Sequence, residues 1–295
     1  MRKTTLTAAV LTAVLLGGCG APPPGGTSEL QGAASASRLP SSAAETVRFE
    51  LDSDRRSDSV SADDGTLLAS YTYTIPVLRA VTESGAVLET AATQAQQRAL
   101  DAADAFNAEL ASWVENMNFP EIFDWARSDY QTLDGDVEWM GYYSEEFTYT
   151  FWRTERLISV AGDYYSYTGG AHPSSTLVSW NFDLETGRFL HVTALGEDTE
   201  GFQAAVTEEL IRQADRRAMD EDCAPPEMYW EDYRDVLAKW PDYAVTFSDS
   251  GMTVSYPAYE LAAYALGPQV FELDLDFLEP YLSADGRELL GLPPV

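Results

Sequence analysis

Apolar residues recur at three- and four-residue spacing in two places along the chain, and most of what surrounds them is patterned for strands. Ala92, Ala95, Ala99, Ala102, Phe106, Leu110 and Trp113 make one face of a long helix that ends near 116–120. Phe202, Val206, Leu210, Ala214 and Ala218 fall every four residues and predict a second. Glu121–Leu133 and Glu227–Trp240 read as further helices, and Asp274–Leu282 as a short terminal one. Between them, Ser70-Tyr71-Thr72-Tyr73-Thr74-Ile75 alternates as a strand does, inside a predicted strand Leu67–Val77 where Pro76 should limit pairing. Glu45–Asp52, Trp139–Tyr143, Phe147–Val160, Tyr243–Phe247, Met252–Tyr256 and Val270–Leu273 also read as strands. Trp180–Leu184 and Phe189–Val192 form a hairpin about Glu185-Thr186-Gly187. Strands in runs with helices set between hairpins predict an α+β fold, largely antiparallel, in two closely associated modules at 45–178 and 179–283.

The first nineteen residues address the chain elsewhere than the cytoplasm. Arg2 and Lys3 precede an uncharged apolar run, Leu6–Leu16, too short to span the ~30 Å of a bilayer core but sized for a signal peptide. It closes on Leu16-Gly17-Gly18-Cys19, which resembles a bacterial lipobox, whose cysteine is acylated after cleavage; an ordinary signal peptide with a chance cysteine is the alternative. Residues 1–18 are then a signal peptide, and 19–44, rich in Gly, Ala, Ser and Pro, a lipidated flexible tether. The expected location is extracytoplasmic, with the membrane held only through Cys19. Lys and Arg number 18 against 48 Asp and Glu, for a formal charge of −30. Such a chain is repelled by nucleic acid and by anionic lipid surfaces and attracts cationic partners. Two cysteines and two histidines leave no disulfide framework and no zinc ribbon. Cys223, in Asp220-Glu221-Asp222-Cys223, sits among charges that blunt a thiol.

Two segments stand out. Tyr164-Tyr165-Ser166-Tyr167-Thr168-Gly169-Gly170-Ala171-His172-Pro173 pairs aromatics with glycines that allow positive φ. Tyr256-Pro257-Ala258-Tyr259-Glu260-Leu261-Ala262-Ala263-Tyr264-Ala265-Leu266-Gly267 sets three tyrosines among small residues. Each is either a contact surface or a turn packed on the sheet edge. Asp134-Gly135-Asp136-Val137-Glu138 lacks the spacing of a calcium loop and reads as an acidic turn. Asp220–Asp235 holds seven acids against Arg234, a solvated face or a steering surface.

With Asn181-Phe182-Asp183-Leu184-Glu185-Thr186-Gly187-Arg188, these two segments resemble the extracytoplasmic module pair shared by RsiV-type anti-sigma factors and PdaC-type peptidoglycan deacetylases. The similarity covers roughly Leu67 to Leu278 in the same order. It implies a non-catalytic binding module for cell-wall glycan (peptidoglycan) or for a cationic cell-wall-active protein such as lysozyme. In lysozyme-binding relatives the Pro-x-Tyr lies at the interface, which points to Pro257 and Tyr259. The remaining candidates are Tyr264 and the turn residues Tyr167, Thr168, Gly169, Gly170 and His172. A lipid signal stands where RsiV-type proteins have a sigma-binding segment and membrane helix. The metal-dependent deacetylase part is missing too, since His172 and His191 are nineteen residues apart. No cofactor or metal is implied. An envelope hydrolase with an unadvertised acidic active site is the alternative from another class.

Overall fold

The computed structural model describes residues 47–117, 121–136 and 141–294; the signal, Cys19 and the tether lie outside them. Strand β1 (Arg48–Ser61) and β2 (Leu67–Val81) form a long antiparallel hairpin. Its Asp63-Asp64-Gly65 turn closes with Asp64 accepting from the Thr66 N–H at 2.9 Å. β2 runs past Pro76 because β3 pairs with it only as far as Tyr73. A proline nitrogen turned to the side that β3 has left breaks no ladder bond.

The chain then crosses the sheet through α1 (Gln94–Glu115) and α2 (Glu121–Thr132). Thr93 and Gln96 make a capping box that starts α1. Helix α1 buries Ala99, Ala102, Ala103, Phe106 and Leu110, and the Phe106 ring meets Phe182 edge-on at 5.4 Å. The crossing returns β3 (Tyr143–Arg153) parallel to β2, and β4 (Leu157–Tyr167), β5 (Ser174–Asp183) and β6 (Arg188–Phe189) follow antiparallel, so the sheet order is sequential. The predicted strand Phe147–Val160 is thus two strands. The turn between them has neither Gly nor Pro; the Thr154 hydroxyl accepts from the N–H groups of Arg156 and Leu157 instead.

Helix α3 (Thr199–Asp220) packs its predicted stripe against a second sheet of β7 (Ala244–Ser248), β8 (Gly251–Tyr256) and β9 (Gln269–Asp274). The stretch predicted as one helix to Trp240 is broken into α4 (Pro225–Met228), α5 (Tyr233–Leu237) and a 3₁₀ turn at Trp240–Asp242. The break has a tertiary cause: Tyr229 is extended, and the Trp230 N–H bonds the Leu261 carbonyl at 2.9 Å. Short helices α6 (Leu275–Leu278) and α7 (Ala284–Leu289) finish the chain.

The two sheets belong to one compact body, and their junction explains why. In β4, Ile158 and Val160 face the core under α1, while Leu157 belongs to the core around α3. β7 is an edge strand whose backbone groups would otherwise be buried unpaired. Side chains of β4 and β5 complete it. The Phe247 N–H donates to Ser159 Oγ at 3.0 Å, the Val245 N–H to Ser179 Oγ at 2.9 Å, and Asn181 Nδ2 to the Val245 carbonyl at 2.8 Å. The opposite edge, β9, is covered likewise: Gln213 donates to the Glu272 carbonyl at 2.8 Å, and Arg217 to that of Val270. β5 runs unbroken through 178–179, where the sequence suggested a boundary.

Arg156 ties the end of the chain to the β5–β6 hairpin. Its guanidinium lies 2.9 Å from Asp183, 3.0 Å from Glu185, 2.8 Å from Asp285 and 3.3 Å from Glu288. Burial pushes the Asp183 carboxyl up, but hydrogen bonds from Arg156 and the Glu185 N–H outweigh it and leave the group below the ordinary carboxylate range.

Candidate binding surface

The two segments singled out in the sequence meet in space. The turn between β4 and β5 places Gly169 at φ +89° and Gly170 at φ +92°. At Gly169 a side chain is also excluded by contact, since a Cβ there would lie 2.7 Å from Tyr143 Oη. The Tyr167 hydroxyl donates back to the Gly170 carbonyl at 3.0 Å, and Thr168 is exposed at the tip. This turn sends His172 across to the segment after β8. Its ring stacks on Tyr264 with centroids 3.6 Å apart and planes 16° from parallel. Its Nε2 lies 3.0 Å from the Tyr259 hydroxyl and its Nδ1 3.1 Å from the Pro173 carbonyl. A carbonyl only accepts, so Nδ1 carries the proton; in the neutral ring Nε2 then accepts from Tyr259. The Tyr264 hydroxyl also donates to the Pro173 carbonyl, at 2.9 Å.

Tyr259 has the least ordinary backbone of this group. The turn Pro257–Glu260 closes through the Glu260 N–H to the Pro257 carbonyl at 3.2 Å, with Tyr259 at φ +74°. Its third residue adopts the positive φ that type II turns reserve for glycine or asparagine. A tyrosine there costs roughly 1–2 kcal/mol. The surroundings hold it: Trp230 Nε1 donates to the Tyr259 carbonyl at 2.9 Å from one side, and His172 braces the hydroxyl from the other. Tyr259 remains 55% exposed, next to the exposed Trp230.

Acids border this aromatic patch. Glu260 accepts from the Tyr243 hydroxyl at 2.8 Å. Burial, then that hydrogen bond and the nearby charges of Glu260, Asp242 and Asp232, push the Tyr243 hydroxyl up to about 12. Glu231 and Asp232, from the acidic run, follow Trp230 directly. Cys223, by contrast, is half-buried with its thiol donating to the Ala218 carbonyl.

Not every expected residue joins the patch. Tyr167 turns away to Tyr143, edge-on with centroids 6.4 Å apart. Pro257 lies half-buried on the other side of the turn, lining a cleft with Trp113, Val178 and Tyr243. Trp230 escaped the sequence reading because it was assigned to a continuous helix. The local signal is a tryptophan followed directly by two acids, Glu231 and Asp232. The acidic turn at Asp134–Gly135 has φ +49° and +82°; Val137, Glu138 and Trp139 lie outside the described residues. Among the described residues no group of three His, Cys, Asp or Glu side chains is placed to hold a metal, and no helix is long and apolar enough to cross a membrane.

No protein-family model and no curated protein matches the chain. Solved structures do. A DUF3298 family protein from Pseudomonas aeruginosa PAO1 aligns with a TM-score of 0.44 and 13% identity, over 81% of this chain and 96% of that one. A member of the DUF3298 family from Bacteroides fragilis NCTC 9343 aligns with a TM-score of 0.56 and 16% identity, over 83% of this chain and 98% of that one. At such identity the likeness is one of fold, and the chain has the mixed α+β fold of the Bacteroides protein.

Proposed function

We propose that this chain is a lipid-anchored, extracytoplasmic, non-catalytic binding module, and that the Tyr259–His172–Tyr264 surface docks a cationic cell-wall-active protein such as lysozyme. One observation carries the reading: an exposed tyrosine is kept at an unfavourable φ by groups from β4–β5 and from the acidic run. Strain held at a solvent-facing aromatic is a mark of a contact site rather than of packing. A pre-set ring loses little entropy on docking, and tyrosine is prominent among residues that dominate interfaces. The acids around it suit a basic partner better than a neutral glycan, whose recognition needs no charge.

Surface binding kinetics against lysozyme at about 0.01 M and 0.15 M salt, where the Debye length is roughly 30 and 8 Å, test this. Tyr259→Ala should raise the off-rate by about thirtyfold, the counterpart of ~2 kcal/mol for an anchor, and leave the on-rate alone. Affinity that vanishes at the higher salt and ignores Tyr259→Ala would be charge attraction only, and the proposal would fall.

A further inference from the structure

Behind the Tyr259 turn the seam between the sheets opens into a trough. One half is a hollow of about 340 Å³ bordered by α1, β5 and the segment Leu190–Val192; the other, about 350 Å³, runs on to Pro257. Both halves are lined by Ser179, Trp180, Asp242 and Tyr243, so they adjoin across these side chains. Aromatic faces come from Trp113, Trp180 and Tyr243. Two exposed carboxylates reach it, Glu109 from α1 and Asp242 from the 3₁₀ turn, and neither has an ion-pair partner among the described residues. No lysine or arginine lines either half; His191, with Nδ1 3.0 Å from the Thr193 hydroxyl, is the one further titratable group besides Tyr243. Asn181 supplies an independent observation. It lines the inner half, is 6% exposed, and has its Nδ2 committed to Val245, yet its Oδ1 has no hydrogen-bond partner among the described residues. A buried acceptor left over in this way is costly unless a donor completes it.

The geometry points to this trough as the seat of one basic side chain, an arginine above all, presented by the cationic partner; the source of that side chain rests on the function proposed above. A guanidinium carries five donors and no acceptor, which answers two carboxylates and an orphan carbonyl oxygen. Its flat face stacks on tryptophan and tyrosine. A sugar hydroxyl network would call for donors from the protein as well, and here the charged groups are both acceptors.

The test needs no partner protein. The indole N–H resonances of the full chain are titrated with N-acetylarginine amide, with its neutral isostere N-acetylcitrulline amide, and with an N-acetylglucosamine trimer. Arginine should move the Trp113 and Trp180 signals saturably, and citrulline should not. The double substitution Glu109→Gln, Asp242→Asn, at exposed positions that leave the fold intact, should weaken arginine binding at least about tenfold. Equal binding of citrulline, an unaffected double variant, or shifts with the trimer alone would each overturn the assignment. Lysozyme binding that persists in a chain blind to arginine removes the trough and keeps the partner reading. Arginine binding without lysozyme binding does the reverse.

Discussion

Tyr259 separates two demands that a single substitution usually confounds. Its ring is available for binding, while its φ of +74° costs stability. Alanine at this position removes the ring but inherits the backbone, because any Cβ is unfavourable there; glycine removes both. We therefore expect Tyr259→Gly to be more stable than Tyr259→Ala by about 1 kcal/mol, although glycine is normally the more costly residue to order. Urea unfolding midpoints compare the two, and both variants should lose the partner to the same degree. Should alanine prove the more stable, the positive φ is not maintained in solution, and the case for a pre-set anchor weakens with it.

Among the elements, those whose patterning is local were legible. Both long helices follow their apolar stripes, since Phe106 and Leu110 in α1 and every stripe residue in α3 are buried. What escaped was decided by contacts distant in sequence. The turn at Thr154 uses a side-chain hydroxyl where glycine would have signalled it, and the helix predicted to Trp240 breaks because Leu261 claims the Trp230 N–H. The site was half legible for the same reason. The glycine turn and the tyrosine segment stand out by composition, but nothing local says that His172 stacks on Tyr264 or that Trp230 holds the Tyr259 carbonyl. The capping of β7 is another such feature, and it carries a prediction. Ser159 is 2% exposed and is the acceptor for the Phe247 N–H. Ser159→Ala should cost about 1–3 kcal/mol by leaving that donor buried and unpaired, more than its lost volume warrants. Thermal unfolding checks it, and amide exchange should quicken at Phe247 in particular. A neutral substitution would mean that water reaches the β7 edge and that the sheets are less tightly keyed than these bonds imply.

At the scale of the molecule the dominant fact is charge. With 48 acids against 18 bases, at least 30 carboxylates have no basic side chain of their own. Even the best-served cation, Arg156, is shared among four acids. Folding brings these charges closer together than they are in the unfolded chain, so repulsion works against the compact state. Added salt relieves it: between about 0.01 M and 0.15 M the Debye length falls from roughly 30 to 8 Å, shorter than the distances across which most surface acids interact. The same ions shield a cationic partner from the field that draws it in, which slows encounter more than it hastens departure. The two responses should therefore have opposite signs. Across that range the melting temperature should rise, while the association rate with lysozyme should fall by about tenfold or more. Neutralising Glu227, Glu231, Asp232 and Asp235 together, in the acidic run beside Trp230, should reproduce both effects at low salt, a higher melting temperature and a slower on-rate. Calorimetry and stopped-flow mixing on one preparation read the pair. A melting temperature that drops with salt would place the attraction of Arg156 for its four carboxylates above the repulsion among the rest. The acidity of this chain would then be organised for stability, and its bearing on a basic partner would be incidental.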